Sequence, residues 1–167
     1  MDEKLKDTLL DEAQFELLMD WMYSEFSCEI MLSVIEYVQF KAVLDEYEQS
    51  TDTAEEIIFY AEIPRSTIVH GVNGSMAEHL EETRDPLTGL ARMSTIAGAL
   101  YKKYIERHSE LEINISSSLR NRWNSLHSRK YPENDLTELV SAVDEVISEM
   151  LKYIRQAFIR FDIDRKH

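Results

Sequence analysis

Hydrophobic side chains recur along most of the chain at spacings of three and four residues, the period of an amphipathic α-helix. In the first segment, Leu5–Met22, this pattern predicts one or two short helices. A longer pattern follows Ser27, which suits a helix N-cap, and Glu29 would lie in the first turn, where a negative charge complements the helix dipole. Apolar residues then cover most of the circumference as far as about Tyr47, which predicts a central, buried helix.

Three more helical patterns follow in the second half of the chain. An apolar stripe predicts a helix over about Met93–His108, and a connector over residues 111–116 leads to a helix that Ser116–Ser118 would cap. After a loop near residues 130–133, a long stripe ending at Phe161 predicts a last helix that begins near Asn134 or Asp135. The tryptophans Trp21 and Trp123 and the tyrosines lie on apolar stripes, which predicts core positions for them.

Residues 49–90 interrupt the helical pattern. Alternating apolar positions within 57–69 favour a small hairpin, and residues 76–82 favour one short helix. The segment also holds the residues that end helices: Pro64, Gly71, Asn73-Gly74, Asp85-Pro86 and Gly89. The sequence therefore predicts an all-α helical bundle, a single domain over residues 1–167, with an irregular insertion at about 49–90.

Charge is unevenly placed along the chain, whose formal net charge is −14. Residues 1–62 carry 17 acidic and 3 basic side chains, whereas the remainder carries 15 of each. Such an acidic region repels phosphate backbones and anionic lipid surfaces, so we expect neither nucleic-acid binding nor direct membrane insertion. Two interpretations stay open: a solvated surface that promotes solubility, or an acidic face that complements a basic partner.

The cysteine count and the distribution of apolar residues predict a cytoplasmic protein. Cys28 is the single cysteine, so no internal disulfide forms and a reducing compartment is the default. The first residues show no apolar run behind their charges, which predicts no signal peptide. No apolar stretch approaches the roughly 20 residues that span a bilayer.

A search for catalytic and cofactor motifs finds no strong candidate. None of the five histidines has a Glu three residues before it, and their spacings do not fit a zinc site, so we expect no metal and no cofactor. The phosphate-binding glycine motifs are missing from the sequence. Cys28, at a helix N-terminus, is either a thiol with a lowered pKa or a small, partly buried side chain. These observations favour an interaction domain without an active site of its own.

Three separated stretches resemble the regulator of G-protein signalling (RGS) family. Phe15 and Met19, followed by residues 24–41, resemble the family's F-x-x-F/M and EFSEEN-[IL] motifs. Residues 100–117 are similar to its I-Y-x-x-[FY]-[IL] and [VI]-N-[IL]-[DS] motifs, and residues 143–161 to its F-D-x-A-Q and R-F motifs. The three stretches occur in the family's order and together cover about 100 of the 167 residues.

The resemblance implies a domain of about nine helices in two subdomains that binds an activated G-protein α subunit. Members of the family hold the switch segments of that subunit in their transition-state arrangement and so accelerate GTP hydrolysis. It also implies recruitment by the partner to the inner face of the plasma membrane. The residues implied to contact the α subunit are Glu29, Ile30, Asn114, Ser117 and Arg160.

This chain departs from the family motifs in three places. Ile30 stands where the family has an asparagine, and the family's Asp-Ser pair on the last helix has no counterpart near Gln156–Phe158. The segment at 49–90 is also about 40 residues longer than an ordinary connection. Two hypotheses follow: a divergent RGS domain with weakened GTPase acceleration, or a non-catalytic RGS-homology scaffold that binds another protein and uses the insertion as its contact surface.

Overall fold

The computed structural model describes residues 3–48, 89–131 and 136–166, and in these ranges the chain is helical and without strands. The all-α prediction is therefore confirmed for this part of the chain. The resemblance implies about nine helices for the whole domain, whereas the described ranges contain six α-helices and one π-helical segment. They are α1 Glu3–Leu10, α2 Glu12–Ser24, α3 Cys28–Glu48, α4 Gly89–Leu100, the π-helix Tyr101–Ile105, α5 Ser117–Ser128 and α6 Leu136–Asp164.

The helix boundaries agree with the hydrophobic pattern to within a few residues. Leu5–Met22 forms two short helices, and the long apolar pattern forms α3, which begins directly after Ser27. The helix predicted over 93–108 is α4 followed by the π-helix, which ends at Ile105. The hairpin predicted within 57–69 and the short helix at 76–82 lie outside the described residues, as does most of the 49–90 insertion.

The central feature of the fold is the antiparallel pair α3 and α6. Glu25, just before α3, lies beside Arg160, and Lys41 near the other end of α3 binds Asp144 at 3.2 Å. The two pairings share one register, so α3 and α6 run side by side in opposite directions. As its all-round apolar pattern predicts, α3 is buried at almost every position from Met31 to Lys41.

The remaining helices cover this pair. Phe15, Leu18 and Met22 of α2 enter the core, and α5 adds Trp123, whose ring meets Tyr37 edge-on at 5.6 Å. Four core predictions among the described aromatic residues were wrong. Tyr101 is only partly buried, and Tyr153 is 36% exposed. Trp21 is only partly buried because its indole N–H reaches outward to Asp164, and Tyr23 is 74% exposed because its position on α2 points away from the core.

Candidate partner-binding surface

The turn between α2 and α3 is closed by its own backbone. Ser27 N–H donates to the Met22 carbonyl at 2.9 Å, and Phe26 N–H donates to the Tyr23 carbonyl at 3.1 Å. This pair of bonds is the Schellman ending of a helix, which requires a left-handed residue at the position of Phe26. Phe26 has φ 54°, a conformation that costs a side-chain-bearing residue about 1–2 kcal/mol.

Phe26 projects from this turn into solvent, with 91% of its surface exposed. In the sequence Phe26 is one letter of the EFSEEN-like motif, and it was not predicted as a candidate contact. A phenylalanine at a helix end that would normally hold glycine was the available signal. An exposed aromatic ring on a rigid backbone is the kind of residue that anchors protein interfaces.

The first turn of α3 carries the next two expected contacts. Glu29 is half-buried there. Ile30 is also partly buried, but it packs against the hydrophobic core, and its N–H donates to the Ser27 carbonyl at 3.3 Å. Its side chain therefore supports the turn, and its packing against the core limits the surface it offers to a partner.

Arg160 of α6 joins the same end of the molecule. Its guanidinium lies 4.0 Å from the Glu25 carboxylate and over the Trp21 ring, 5.6 Å from the ring centre. The side chain stays 59% exposed, so the ion pair with Glu25 is worth little and leaves donors available. Arg160 therefore lies beside the α2–α3 turn, where the resemblance implies a contact.

A second turn, residues 113–117, presents Asn114 and Ser117. Ile113 and Ile115 are buried on either side of Asn114, which is exposed. Because neighbouring side chains of an extended segment point in opposite directions, the two isoleucines turn Asn114 toward solvent. Ser117, the first residue of α5, is exposed next to them.

Side chains from distant positions hold this second turn. Arg120 donates to the Ile113 carbonyl at 2.9 Å and also to the Ile105 carbonyl. On the other side, Glu149 of α6 accepts both the N–H of Ser116 at 2.9 Å and its hydroxyl at 2.7 Å. Ser116, predicted to cap α5, therefore uses its hydroxyl to bind α6.

The expected contacts form two groups along the α3–α6 pair. The 113–117 turn is attached to α6 at Glu149, and the α2–α3 turn lies beside Arg160, eleven residues further along. A rise of about 1.5 Å per residue separates the two attachment points by about 16 Å along the helix axis. Both turns therefore fall within the width of one ordinary protein interface of roughly 800 Å² per partner.

Cys28 does not have the properties of a reactive thiol. Its partial burial, and then the negative charge of Glu29, raise the pKa of the thiol above its usual value. The hypothesis of a lowered pKa at this helix N-terminus is therefore wrong in direction. The thiol stays protonated at neutral pH, which makes it a poor nucleophile.

Among the described residues, no group of three or more histidine, cysteine, aspartate or glutamate side chains is placed to hold a metal ion. Within the same ranges, no helix is long and apolar enough to span a membrane. Comparison of the chain with protein-family models, with curated proteins and with solved structures found no match.

Proposed function

We propose that this chain binds the activated form of a G-protein α subunit at its switch segments and accelerates the hydrolysis of GTP by that subunit. The motifs in residues 15–41, 100–117 and 143–161 motivate the proposal. The observation that carries it is the pair of exposed turns, Glu25–Ser27 and Ile113–Ser117, that are held rigidly at the edge of the α3–α6 pair.

Rigidity supports the proposal because binding then costs little conformational entropy. Immobilising a side chain at an interface costs about 0.5–1.5 kcal/mol, and ordering a loop costs more. The α2–α3 turn is fixed by backbone hydrogen bonds and the 113–117 turn by Arg120 and Glu149. A surface ordered in advance is suited to stabilising mobile segments of another protein.

The chemistry of the surface also fits such a partner. Phe26 supplies an apolar anchor at the α2–α3 turn, with Glu29 close to it in the chain. Asn114 and Ser117 supply hydrogen-bonding groups at the 113–117 turn. Interfaces of this kind combine one or two buried aromatic anchors with a polar rim. Arg160, beside Glu25, adds a positive charge at the border.

The proposed mechanism requires no active site in this chain. A G-protein α subunit carries its catalytic arginine in cis, so an accelerating partner need not donate one. The chain acts by binding the switch segments more tightly in the transition state than in the ground state. Glu29 and Asn114 would accept and donate the hydrogen bonds that hold those segments in place, which is electrostatic preorganisation supplied in trans.

Ile30 weakens this activity relative to the family. An isoleucine side chain forms no hydrogen bonds, and here it also packs against the core. A lost hydrogen bond at such a position costs about 1–3 kcal/mol, equivalent to a 5- to 150-fold loss in affinity. We therefore expect slow acceleration together with measurable binding.

The experiment that tests the proposal measures binding to a panel of α subunits from the same organism, loaded with GDP or with GDP and aluminium fluoride. Single-turnover GTP hydrolysis is followed in parallel. We expect binding that is selective for the fluoride form and hydrolysis that is faster with the domain than without it. Asn114→Ala should reduce both, whereas Asn121→Ala, an exposed asparagine on α5, should leave both unchanged.

Three outcomes separate the alternatives. Selective binding without faster hydrolysis would indicate a domain that sequesters the α subunit. Equal affinity for the two nucleotide states would contradict the transition-state mechanism. No binding to any α subunit would favour the scaffold function, for which deletion of residues 65–88 is the next variant to examine.

A further inference from the structure

The second half of α6 exposes an apolar face that the described helices leave uncovered. Ile159 and Ile163 are four residues apart, on one side of the helix, and are 58% and 51% exposed. Leu17 of α2 is 47% exposed. Single exposed hydrophobic residues are ordinary, but three on neighbouring helices mark a surface that is suited to contact with protein.

Opposite charges border these three residues. Residues 11–25, which contain α2, hold five acidic side chains and no basic one. Glu12, Glu16 and Asp20 recur every four residues and form an exposed ridge along α2. Residues 152–166, the second half of α6 with the two residues after it, hold five basic and two acidic side chains; we call them the basic stretch of α6. Lys152 and Lys166 are exposed at its two ends, and Lys166 also pairs with Asp162 at 2.9 Å.

Contacts between α2 and α6 place the acidic ridge of α2 and the basic stretch of α6 on one surface. The Trp21 indole N–H donates to Asp164 at 3.0 Å, and the Trp21 ring packs edge-on against Phe161. Leu17 lies one helical turn before Trp21 on α2, and Ile163 directly precedes Asp164 on α6. We call the surface formed by Leu17, the acidic ridge, Ile159, Ile163 and the basic stretch of α6 the α2–α6 face.

We propose that a second copy of this chain docks on the α2–α6 face and forms a two-fold symmetric dimer. A two-fold interface uses the same surface on both copies, so it requires a surface that complements itself. The α2–α6 face meets this requirement because it carries an acidic half and a basic half beside each other. Rotation by two-fold symmetry sets the acidic ridge of α2 against the basic stretch of α6 in the second copy.

The apolar residues fit the same arrangement. Leu17 of one copy enters the space between Ile159 and Ile163 of the other, as ridges enter grooves where two helices pack. The symmetry repeats this contact, so six apolar side chains become buried in the dimer. An interface built from so few anchors is at the small end of the range for specific contacts, and the dimer is accordingly weak and concentration-dependent.

Sedimentation equilibrium from low micromolar to millimolar protein tests the dimer directly. We expect a reversible monomer–dimer equilibrium whose dissociation constant rises with NaCl concentration, because salt screens exposed charge pairs. Ile163→Glu should abolish the dimer, since it places a charge in the apolar contact. A chain that stays monomeric at millimolar concentration, or that associates more strongly in high salt, would overturn the proposal.

A pair of charge-reversed variants tests the symmetry of the contact. Glu16→Lys with Asp20→Lys makes both halves of the face basic, and Lys152→Glu with Lys166→Glu makes both halves acidic. Each variant alone should form a homodimer with an affinity more than about tenfold lower than that of the wild-type dimer, equivalent to 1.4 kcal/mol. An equimolar mixture of the two should form a heterodimer, because both of its α2–α6 contacts regain opposite charges.

A charge reversal elsewhere on the chain serves as the control. Glu110→Lys, an exposed charge reversal far from α2 along the chain, should leave the wild-type dimer unchanged. Failure of the mixture to form a heterodimer would overturn the proposal even if wild type self-associates. The reversed residues lie outside those proposed to bind an α subunit, so this result does not depend on the proposed function.

Discussion

The two turns of the proposed α-subunit surface are rigid for different physical reasons. The α2–α3 turn is held by nearby groups: Phe26 N–H and Ser27 N–H donate to carbonyls at the end of α2, and the Ser27 hydroxyl adds a bond to the Met22 carbonyl at 3.2 Å. The 113–117 turn depends on Arg120 and on Glu149 of α6, whose carboxylate binds Ser116. A locally closed turn tolerates side-chain replacement, whereas a turn held from a distance is lost with one side chain.

The two turns also differ in the side chains that they expose. The α2–α3 turn exposes a large apolar ring, Phe26, and retains an unfavourable backbone conformation at that residue. The 113–117 turn exposes the polar residue Asn114 between two buried isoleucines. The strained aromatic contributes little to folding, since its ring is in solvent, which is consistent with a role in binding.

Removal of Arg120 should have the largest effect. Its side chain is 13% exposed and donates to the carbonyls of Ile105 and Ile113, with a further ion pair to Glu112 at 3.2 Å. Arg120→Ala leaves buried carbonyls without donors, so we expect a loss of about 2–4 kcal/mol in the free energy of unfolding. Urea denaturation measures it. The exposed Arg107→Ala serves as the control, and an equal loss there would contradict the assignment.

Replacement of Glu149 should have a smaller and more local effect. Glu149→Ala removes both carboxylate oxygens, so the N–H and the hydroxyl of Ser116 lose their acceptors on α6. We expect a cost of about 1 kcal/mol and faster hydrogen exchange of the Ser116 amide. Glu145→Ala, on the same face of α6, breaks only an exposed ion pair with Arg122 of α5 and should leave that amide protected. Unchanged exchange in Glu149→Ala would show that α6 does not hold the turn.

Phe26→Gly should separate stability from binding. Glycine adopts the left-handed conformation without the side-chain penalty but loses more entropy on folding, so a net gain of about 0.5–1 kcal/mol in stability is expected. Binding to the α subunit should fall because the anchor is removed. Phe26→Ala is the matched variant: it should lose binding equally without the gain in stability. A variant that binds as well as wild type would remove Phe26 from the interface.

The smallest effect concerns Cys28, the first residue of α3. Its raised pKa should make alkylation by iodoacetamide slower than that of free glutathione at neutral pH. The sign for stability follows from the same shift. The native state favours the protonated thiol. The resulting contribution of Cys28 to the free energy of unfolding is therefore present below the pKa of the unfolded state and is lost as pH rises through the pKa of the folded state. Cys28→Ser should remove this alkaline loss. Alkylation faster than glutathione would contradict the raised pKa.

The sequence predicts those parts of the fold in which the spacing of apolar residues follows the buried face of a helix. The apolar stripes located α3, α5 and α6 because each long helix buries a wide face. Trp21 was misplaced because the pattern does not show that its indole N–H reaches outward to Asp164. Tyr23 was misplaced because it lies off the buried stripe of α2. The pattern also shows nothing of hydrogen bonds from distant residues, so Arg120 and Glu149 were not identified.

The candidate surface was predictable in part for a related reason. Motif letters supplied Glu29, Asn114, Ser117 and Arg160, but they did not show that Ile30 packs against the core. Phe26 was overlooked because a positive φ is a property of the backbone and leaves no periodic trace. The hydrogen bonds that end α2 account for this positive φ.

The most direct test of the proposed surface is a hydrogen-exchange difference map of the chain with and without an α subunit loaded with GDP and aluminium fluoride. We predict added protection at residues 25–30 and 113–117 together, and none of comparable size around Lys102–Glu110 of the described chain. Protection confined to residues outside these two turns, or no change with any α subunit, would contradict the claim that the two turns form one binding surface for it.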